Sequence, residues 1–184
     1  MAQVLGRGSP IQGECHLTNE NLERASDEID ALRQQAEETR LFFSALEIAF
    51  KAHDGQFDKT GQPYILHPLR VMLRAGTIAE RTVALLHDVL EDCPEWTVER
   101  LSSHFPKAYV AAIQALTRQD HESYPDFITR VRTDPLATNV KLADIADNLD
   151  PRRLHQLDEA TRVRLVEKYS PALQILAADK VGEA

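Results

Sequence analysis

The sequence predicts an all-α protein, and three observations carry that reading. Apolar residues recur at intervals of three and four along most of the chain, as they do on the buried face of a helix. No stretch alternates apolar and polar residues convincingly with the two-residue period of a strand. Glycine and proline mostly fall between the periodic segments, where they punctuate helices.

The elements follow in order. Residues 1–18 (MAQVLGRGSPIQGECHLT) have glycine, proline and polar residues without periodicity and read as a loose tail. Residues 19–40 are highly charged, rich in helix formers and poor in large apolar groups. They read as an exposed helical extension, with Thr18 or Asn19 as its N-cap. A packed domain, 41–184, opens with Phe42, Leu46, Ala49 and His53, and with Phe43, Leu46 and Phe50, at helical spacing. "HDGQFDKTGQPY" ends that helix with two glycines and a proline. A helix from about Pro68 to Arg74 stops at Gly76, and the next runs from about Ala79 to Glu91, before Pro94. Shorter helices are expected near 97–104, 106–117 and 124–133. Pro135 opens a helix that closes before Pro151, and a last amphipathic helix covers about 159–178.

Composition excludes several classes of function. The chain has 184 residues, of which 43% are apolar and 27% charged, enough for a real core in a globular protein. The net charge of −8 argues against a general nucleic-acid-binding surface, so an anionic partner would need a local basic pocket or a metal. No apolar run approaches membrane-spanning length, and no signal-peptide core opens the chain, so no membrane partner is expected. Two cysteines, Cys15 and Cys93, without a CxxC pairing suit a reducing cytoplasm.

Chemistry concentrates in "ALLHDVLED", residues 84–92, where an apolar run carries His87, Asp88, Glu91 and Asp92. On one helix, His87 and Glu91 are four apart, as are Asp88 and Asp92, which puts all four side chains on one side. Burying several carboxylates together is costly unless something positive neutralises them, and a divalent cation does so most simply. The alternative is a solvated face ending in acid, although carboxylates near a helix C-terminus oppose the macrodipole. Two other stretches bear on the choice. "YILHP" places His67 at a helix start, and "VKLADIADNLD" places Asp144 inside an apolar helix with Asn148 one turn on. His67, His87, Asp88 and Asp144 make a two-histidine, two-aspartate set that leaves coordination positions open on an octahedral metal.

With "AHDGQFDKTGQPYILHP" (52–68), "ALLHDVLED" (84–92) and "VKLADIADNLD" (140–150) in this order, the chain resembles the HD-domain phosphohydrolases. More narrowly, it resembles the hydrolase domain of RelA/SpoT-type alarmone enzymes, over roughly residues 41–178. The resemblance implies an HD-type bundle of about eight helices in a small alarmone hydrolase, with no room for the synthetase and regulatory domains of the long enzymes. It implies that His67, His87, Asp88 and Asp144 bind a divalent metal, usually Mn2+, and that Glu91 and Asp92 are the paired catalytic acids. It places Asn148 and Lys59 against the nucleotide. The implied reaction removes the 3′-pyrophosphate of a small-molecule nucleotide, (p)ppGpp or a relative, in a cytoplasmic monomer or homodimer.

Other residues keep two readings. Lys51, Arg70, Arg74, Arg118 and Lys141 could gather around an anionic substrate, Lys141 best because it lies one turn before Asp144. Tyr124 could stack on a base or pack between helices, Trp96 anchors a loop, and His53 orders the loop that follows it. Two positions depart from the family. Asp58 stands where a base-stacking arginine is usual, and Ile145 replaces a basic residue after Asp144. An adenine alarmone such as (p)ppApp, another nucleotide or phosphoester, and a non-catalytic nucleotide-binding module therefore stand beside (p)ppGpp hydrolysis as readings.

Overall fold

The computed structural model describes residues 19–178, so the tail expected at 1–18 lies outside the described residues. Ten helices run through them: α1 (Asn19–Ala52), α2 (Leu66–Arg74), α3 (Ile78–Leu86), α4 (Val89–Asp92), α5 (Val98–Ser102), α6 (Lys107–Leu116), α7 (Tyr124–Arg132), α8 (Pro135–Asn148), α9 (Pro151–Leu154) and α10 (Glu159–Ala177). No strand occurs among the described residues beyond one isolated bridge between Phe57 and Pro63, so the protein is all-α as expected. The number exceeds eight because α4 and α9 are single turns of four residues, too short to show a periodicity of their own.

Two compact units divide the chain, Met1–Ala36 and Glu37–Ala184. In the first, every residue from 19 to 36 is exposed. In the second, α1 buries Leu41, Ala45, Ile48, Ala49 and Ala52. There α2, α3 and α8 pack on one another, and α6, α7 and α10 pack against α8. Leu85, Leu86, Leu101, Ile113, Ile128 and Ile145 are fully buried, each contributing roughly 1.5–3 kcal/mol of apolar transfer. Ile145 therefore serves the core. Trp96 is buried as expected, with the Arg100 guanidinium 3.8 Å from its ring centre.

Local chemistry sets the helix ends. Thr77 and Glu80 form a capping box at α3, and Ser123, Asp134, Asp150 and Asp158 cap α7, α8, α9 and α10 through their side chains. Proline occupies the first turn of α7, α8 and α9, where a missing N–H costs nothing.

One expectation is corrected. The single helix from Ala79 to Glu91 is two helices, α3 and α4, separated by His87 and Asp88. His87 Nδ1 donates to the Ala84 carbonyl at 2.7 Å, and Asp88 sits at φ −100°, ψ −4°, toward the bridge-region edge of the helical basin. The four polar groups thus do not share one helix face. Apolar periodicity does not register such a kink, because Leu85, Leu86 and Val89 are all buried on either side of it. α2 also begins earlier than expected, at Leu66, which puts His67 in its first turn.

The loop 53–64 folds back on itself. Asp58 N–H donates to Gln62 O at 2.8 Å, Tyr64 N–H donates to Gln56 O at 2.9 Å, and Gly61 takes a left-handed φ of 78° at the turn. Asp58 Oδ1 accepts from Thr60 N–H, Thr60 Oγ1 and Gln62 N–H at 2.8, 2.6 and 3.0 Å. Asp58 is an Asx brace for this loop.

Candidate active site

Three elements far apart in sequence bring four side chains together: α2 supplies His67, the α3–α4 kink supplies His87 and Asp88, and α8 supplies Asp144. His67 Nε2 lies 3.2 Å from Asp144 Oδ1 and 3.6 Å from Asp88 Oδ2. His87 Nε2 lies 3.1 Å from Asp88 Oδ2 and 3.8 Å from Asp144 Oδ1. The donor atoms of His67, His87 and Asp88 fall within 4.8 Å of one another, as metal ligands must.

The surroundings orient each of them. His67 Nδ1 bonds Asp147 Oδ2 at 2.9 Å, turning Nε2 inward. His87 Nδ1 donates to a carbonyl, which only accepts, so the proton sits on Nδ1 and the Nε2 lone pair faces the cluster. That Nε2 is buried and has no hydrogen-bond partner. Tyr64 Oη donates to Asp88 Oδ2 at 2.7 Å, Lys141 Nζ to Asp144 Oδ2 at 2.7 Å, and Asn148 Nδ2 to Asp144 Oδ1 at 2.6 Å.

The electrostatics call for positive charge. Burial disfavours a charged His67, yet its bonds to Asp144 and Asp147 push the imidazole up to about 9. Burial likewise opposes ionisation of Asp144, but Lys141 and then His67 hold it well below the usual carboxylate range. An unpartnered inward imidazole nitrogen, a second imidazole and two ionised carboxylates are the donor set of a divalent cation of borderline hardness, so these residues fit one.

The cluster forms the floor of a cavity of about 380 Å³. His67, Asp88, Glu91, Lys141, Asp144 and Asn148 all line it, and so do Lys59 and Tyr124. His87 stands behind the lining with 2% of its side chain exposed. Asp92, paired with Glu91 in sequence, lies outside the lining, because neighbouring residues on a helical turn point about 100° apart. Partial burial pushes the Glu91 carboxyl up, and the charge of Asp88 adds to this against the Arg118 N–H that approaches Glu91 Oε2 at 3.5 Å. Burial and then Asp88 push Asp92 up as well. The Tyr124 hydroxyl is buried without a hydrogen bond, and burial raises it to about 12. Its ring packs on Phe127 and Tyr169, with Lys168 Nζ 4.6 Å from the ring centre.

The basic residues divide. Arg118 joins Lys59 and Lys141 in the cavity lining. Arg70 and Arg74 turn away instead. Arg70 Nε donates to Asp147 Oδ1 at 2.9 Å, and Arg74 Nη2 to Asp150 at 2.5 Å. Lys51 pairs with Glu47 on the surface. Sequence reasoning missed Tyr64, Asp147, Arg153, Lys168 and Tyr169. Asp147 is fully buried, bonded to His67, Arg70 and Arg153, and held down at about 2, where those bonds outweigh the burial. Its one signal in sequence was a second acid within "ADIAD", one turn beyond Asp144 in an apolar helix. Arg153 Nη2 also approaches Asp58 Oδ2 at 3.5 Å, joining this buried ion cluster to the cavity loop.

Comparison with known proteins fixes the kinship. No family model matches the chain. It is 30% identical over 152 residues to the guanosine-3′,5′-bis(diphosphate) 3′-pyrophosphohydrolase of Aquifex aeolicus, covering 75% of this chain and 21% of that protein. It is 30% identical over 167 residues to the bifunctional (p)ppGpp synthase/hydrolase SpoT of Escherichia coli, covering 79% of this chain and 22% of that protein. The chain has the HD fold and is similar to one part of the RelA/SpoT-type enzymes. It spans about a fifth of the length of these curated relatives. A solved structure described as a metazoan ortholog of SpoT that hydrolyzes ppGpp has the same fold, with a TM-score of 0.63 at 23% identity, covering 74% of this chain and 85% of that one. No helix of this HD domain, among the described residues, is long and apolar enough to cross a membrane.

Proposed function

We propose that the chain is a metal-dependent hydrolase that removes the 3′-pyrophosphate from an alarmone nucleotide, (p)ppGpp or (p)ppApp. The products are the nucleoside di- or triphosphate and pyrophosphate. The observation that carries this reading is the His67, His87 and Asp88 group, with Asp144 beside both imidazoles, on the floor of a cavity with lysine and arginine in its walls. The curated relatives named as 3′-pyrophosphohydrolases support it. The hydrolase domain in this reading is residues 41–184, with 19–40 as its extension and a cytoplasmic setting.

His67, His87, Asp88 and Asp144 would hold the ion, which we assign as Mn2+. When bound, it would supply charge neutralisation and Lewis acidity toward the phosphate oxygens. The protein's own groups account for the rest. Asp147 and the Ala84 carbonyl hold the two imidazoles with Nε2 inward. Tyr64, Lys141 and Asn148 hold the two carboxylates. Water adds to the phosphorus next to the ribose 3′-oxygen, and the P–O3′ bond breaks. Glu91, with Asp92 beside it, handles the protons, taking one from the attacking water and returning one to the departing 3′-oxygen. Burial and the charge of Asp88 raise its affinity for a proton, the direction both tasks call for. Lys59, Lys141 and Asn148 face the anionic substrate, and the unpartnered Tyr124 hydroxyl donates to it.

One observation favours a second reading, an HD hydrolase of a different nucleotide. Asp58 is committed to bracing its loop and to Arg153, so the base is not met by an arginine at that position. Incubating the protein with Mn2+ and ppGpp, pppGpp, ppApp, pppApp, dNTPs or NADPH, followed by product analysis, tests both. Pyrophosphate from an alarmone, lost in Asp88→Ala and Asp144→Ala, supports the proposal and names the base. Phosphate from another compound, with no turnover of alarmones, overturns the alarmone assignment. Tight nucleotide binding without product under any divalent metal indicates a binding module.

A further inference from the structure

The segment of α1 from Asn19 to Ala36 exposes every residue to water, yet it is not uniformly polar. Leu22, Ile29 and Leu32 are 51%, 48% and 64% exposed. Counted in sevens, with Leu22 as a first (a) position, Leu22, Ile29 and Ala36 fall on a and Ala25 and Leu32 on d. Glu23, Arg24, Asp27, Asp30 and Gln34 fall on the opposite positions. In the second unit, Phe43 and Phe50 continue the same count of seven and are also exposed, at 62% and 50%. The a-position interval thus continues over four heptads of sequence, while apolar residues fill both a and d from Leu22 to Ala36 and Thr39 takes the next d position.

An isolated helix of this size is marginal in water, and an exposed pair such as Asp30–Arg33, at 3.1 Å, adds only a few tenths of a kcal/mol. A covering partner supplies what is missing, and the flanking charges identify it. The g positions hold Glu28 and Gln35, and the e positions hold Ser26 and Arg33. In a parallel pair of identical helices, each g residue meets the e residue five further along the partner. Glu28 then meets Arg33 of the second copy twice, once on each side, and no like charges meet. In an antiparallel pair, e flanks e and g flanks g, so Glu28 cannot meet Arg33 and both ion pairs are lost. Ile29 at a followed by Leu32 at d is the core choice that favours two strands over three or four.

We infer that residues 19–36 form a parallel two-stranded coiled coil with a second copy of this chain, with Leu22, Ala25, Ile29, Leu32 and Ala36 in the seam. This stands independently of the hydrolase assignment.

The test is sedimentation equilibrium and light scattering on the full chain across concentration. Wild type is expected at twice the 20.7 kDa chain mass. Ile29→Glu/Leu32→Glu should raise the dimer dissociation constant by roughly a hundredfold or more, because each charge would sit in the seam. Its thermal transition should still report a folded domain, since both positions are exposed in the isolated chain. Glu28→Arg or Arg33→Glu should each weaken the dimer, and the double exchange should restore it. Ala25→Cys in a Cys15→Ser background should oxidise to a covalent dimer, because equivalent d positions face each other only in the parallel register. A wild-type monomer at all concentrations overturns the inference. So does a dimer that survives the seam charges, or one that they dissociate but that Ala25→Cys does not cross-link.

Discussion

Replacing Asp147 by asparagine tests whether His67, the proposed metal ligand, is positioned by the structure around it. The Asp147 side chain is 0% exposed and meets His67 Nδ1 at 2.9 Å, Arg70 Nε at 2.9 Å, Arg74 Nε at 3.7 Å and Arg153 at close range. Asparagine keeps the shape and one acceptor but not the charge, so His67 loses the anion that orients its ring and strengthens Nε2 as a ligand. Carboxylates in this position typically carry a 10–100-fold effect on metal affinity, or about 1.4–2.7 kcal/mol. Alanine is too blunt for the same purpose. Removing one partner of a buried ion pair costs about 3–5 kcal/mol. Discounted for side chains of Arg70 and Arg153 that are 32% and 23% exposed, that becomes roughly 2–4 kcal/mol, a large part of a typical total stability. The assay is calorimetric titration of the metal-free Asp147→Asn protein with Mn2+ and with Co2+, whose absorption spectrum reports the ligand field, alongside urea unfolding. Asp150→Asn is the control, since Asp150 holds Arg74 but does not touch His67. A weaker urea midpoint with wild-type metal affinity would refute the reasoning, reducing Asp147 to a clamp for arginines.

Three further outcomes are expected. Glu91→Gln should lower kcat by about 10²–10⁴ while leaving metal affinity within about threefold, and a change confined to KM in steady-state kinetics would deny it a proton-transfer role. Lys168→Met removes an ammonium group from the cavity wall beside Tyr124 and should raise KM about tenfold with kcat nearly unchanged, as read in the same kinetics. Glu122 accepts two bonds from Arg130 at 2.7 Å, which lower its pKa against a smaller effect of burial. A folded pKa below the unfolded 4.5 means that this stability is complete above pH 4.5 and lost as pH falls through the lower folded value. Glu122→Gln should therefore melt about 2–4 °C below wild type at pH 6, for a loss of about 1 kcal/mol, and the gap should narrow as the pH is taken below 4.5. A gap unchanged between those pH values in thermal melts would contradict it.

Much of the helical content was legible in sequence because its causes are local. Apolar spacing, caps such as Ser123 and Asp134, and prolines such as Pro135 act within a turn or two of the helix they define. The kink at His87–Asp88 escaped because it rests on one side chain taking a carbonyl three residues back, while the apolar pattern runs on unbroken. The bundle then decides which way each charge points. Arg70 and Arg74 had the right sign and rough location for a substrate pocket, but α8 offers them Asp147 and Asp150, and they pair there. Lys168 and Tyr169 join the cavity because α10 packs on α7 and α8, a contact without any trace in their own neighbourhood of the chain.

The sequence by itself determined the helical class, most helix boundaries and the residue types able to hold a divalent ion, since all three follow from local sterics, periodicity and side-chain chemistry. Only the tertiary structure decided that His67, His87, Asp88 and Asp144 converge, that Asp147 backs His67 from 80 residues away, and that Asp58 braces a loop. Those relations depend on how α2, α3 and α8 cross, and a crossing is fixed by the packing of three buried surfaces together rather than by any one segment.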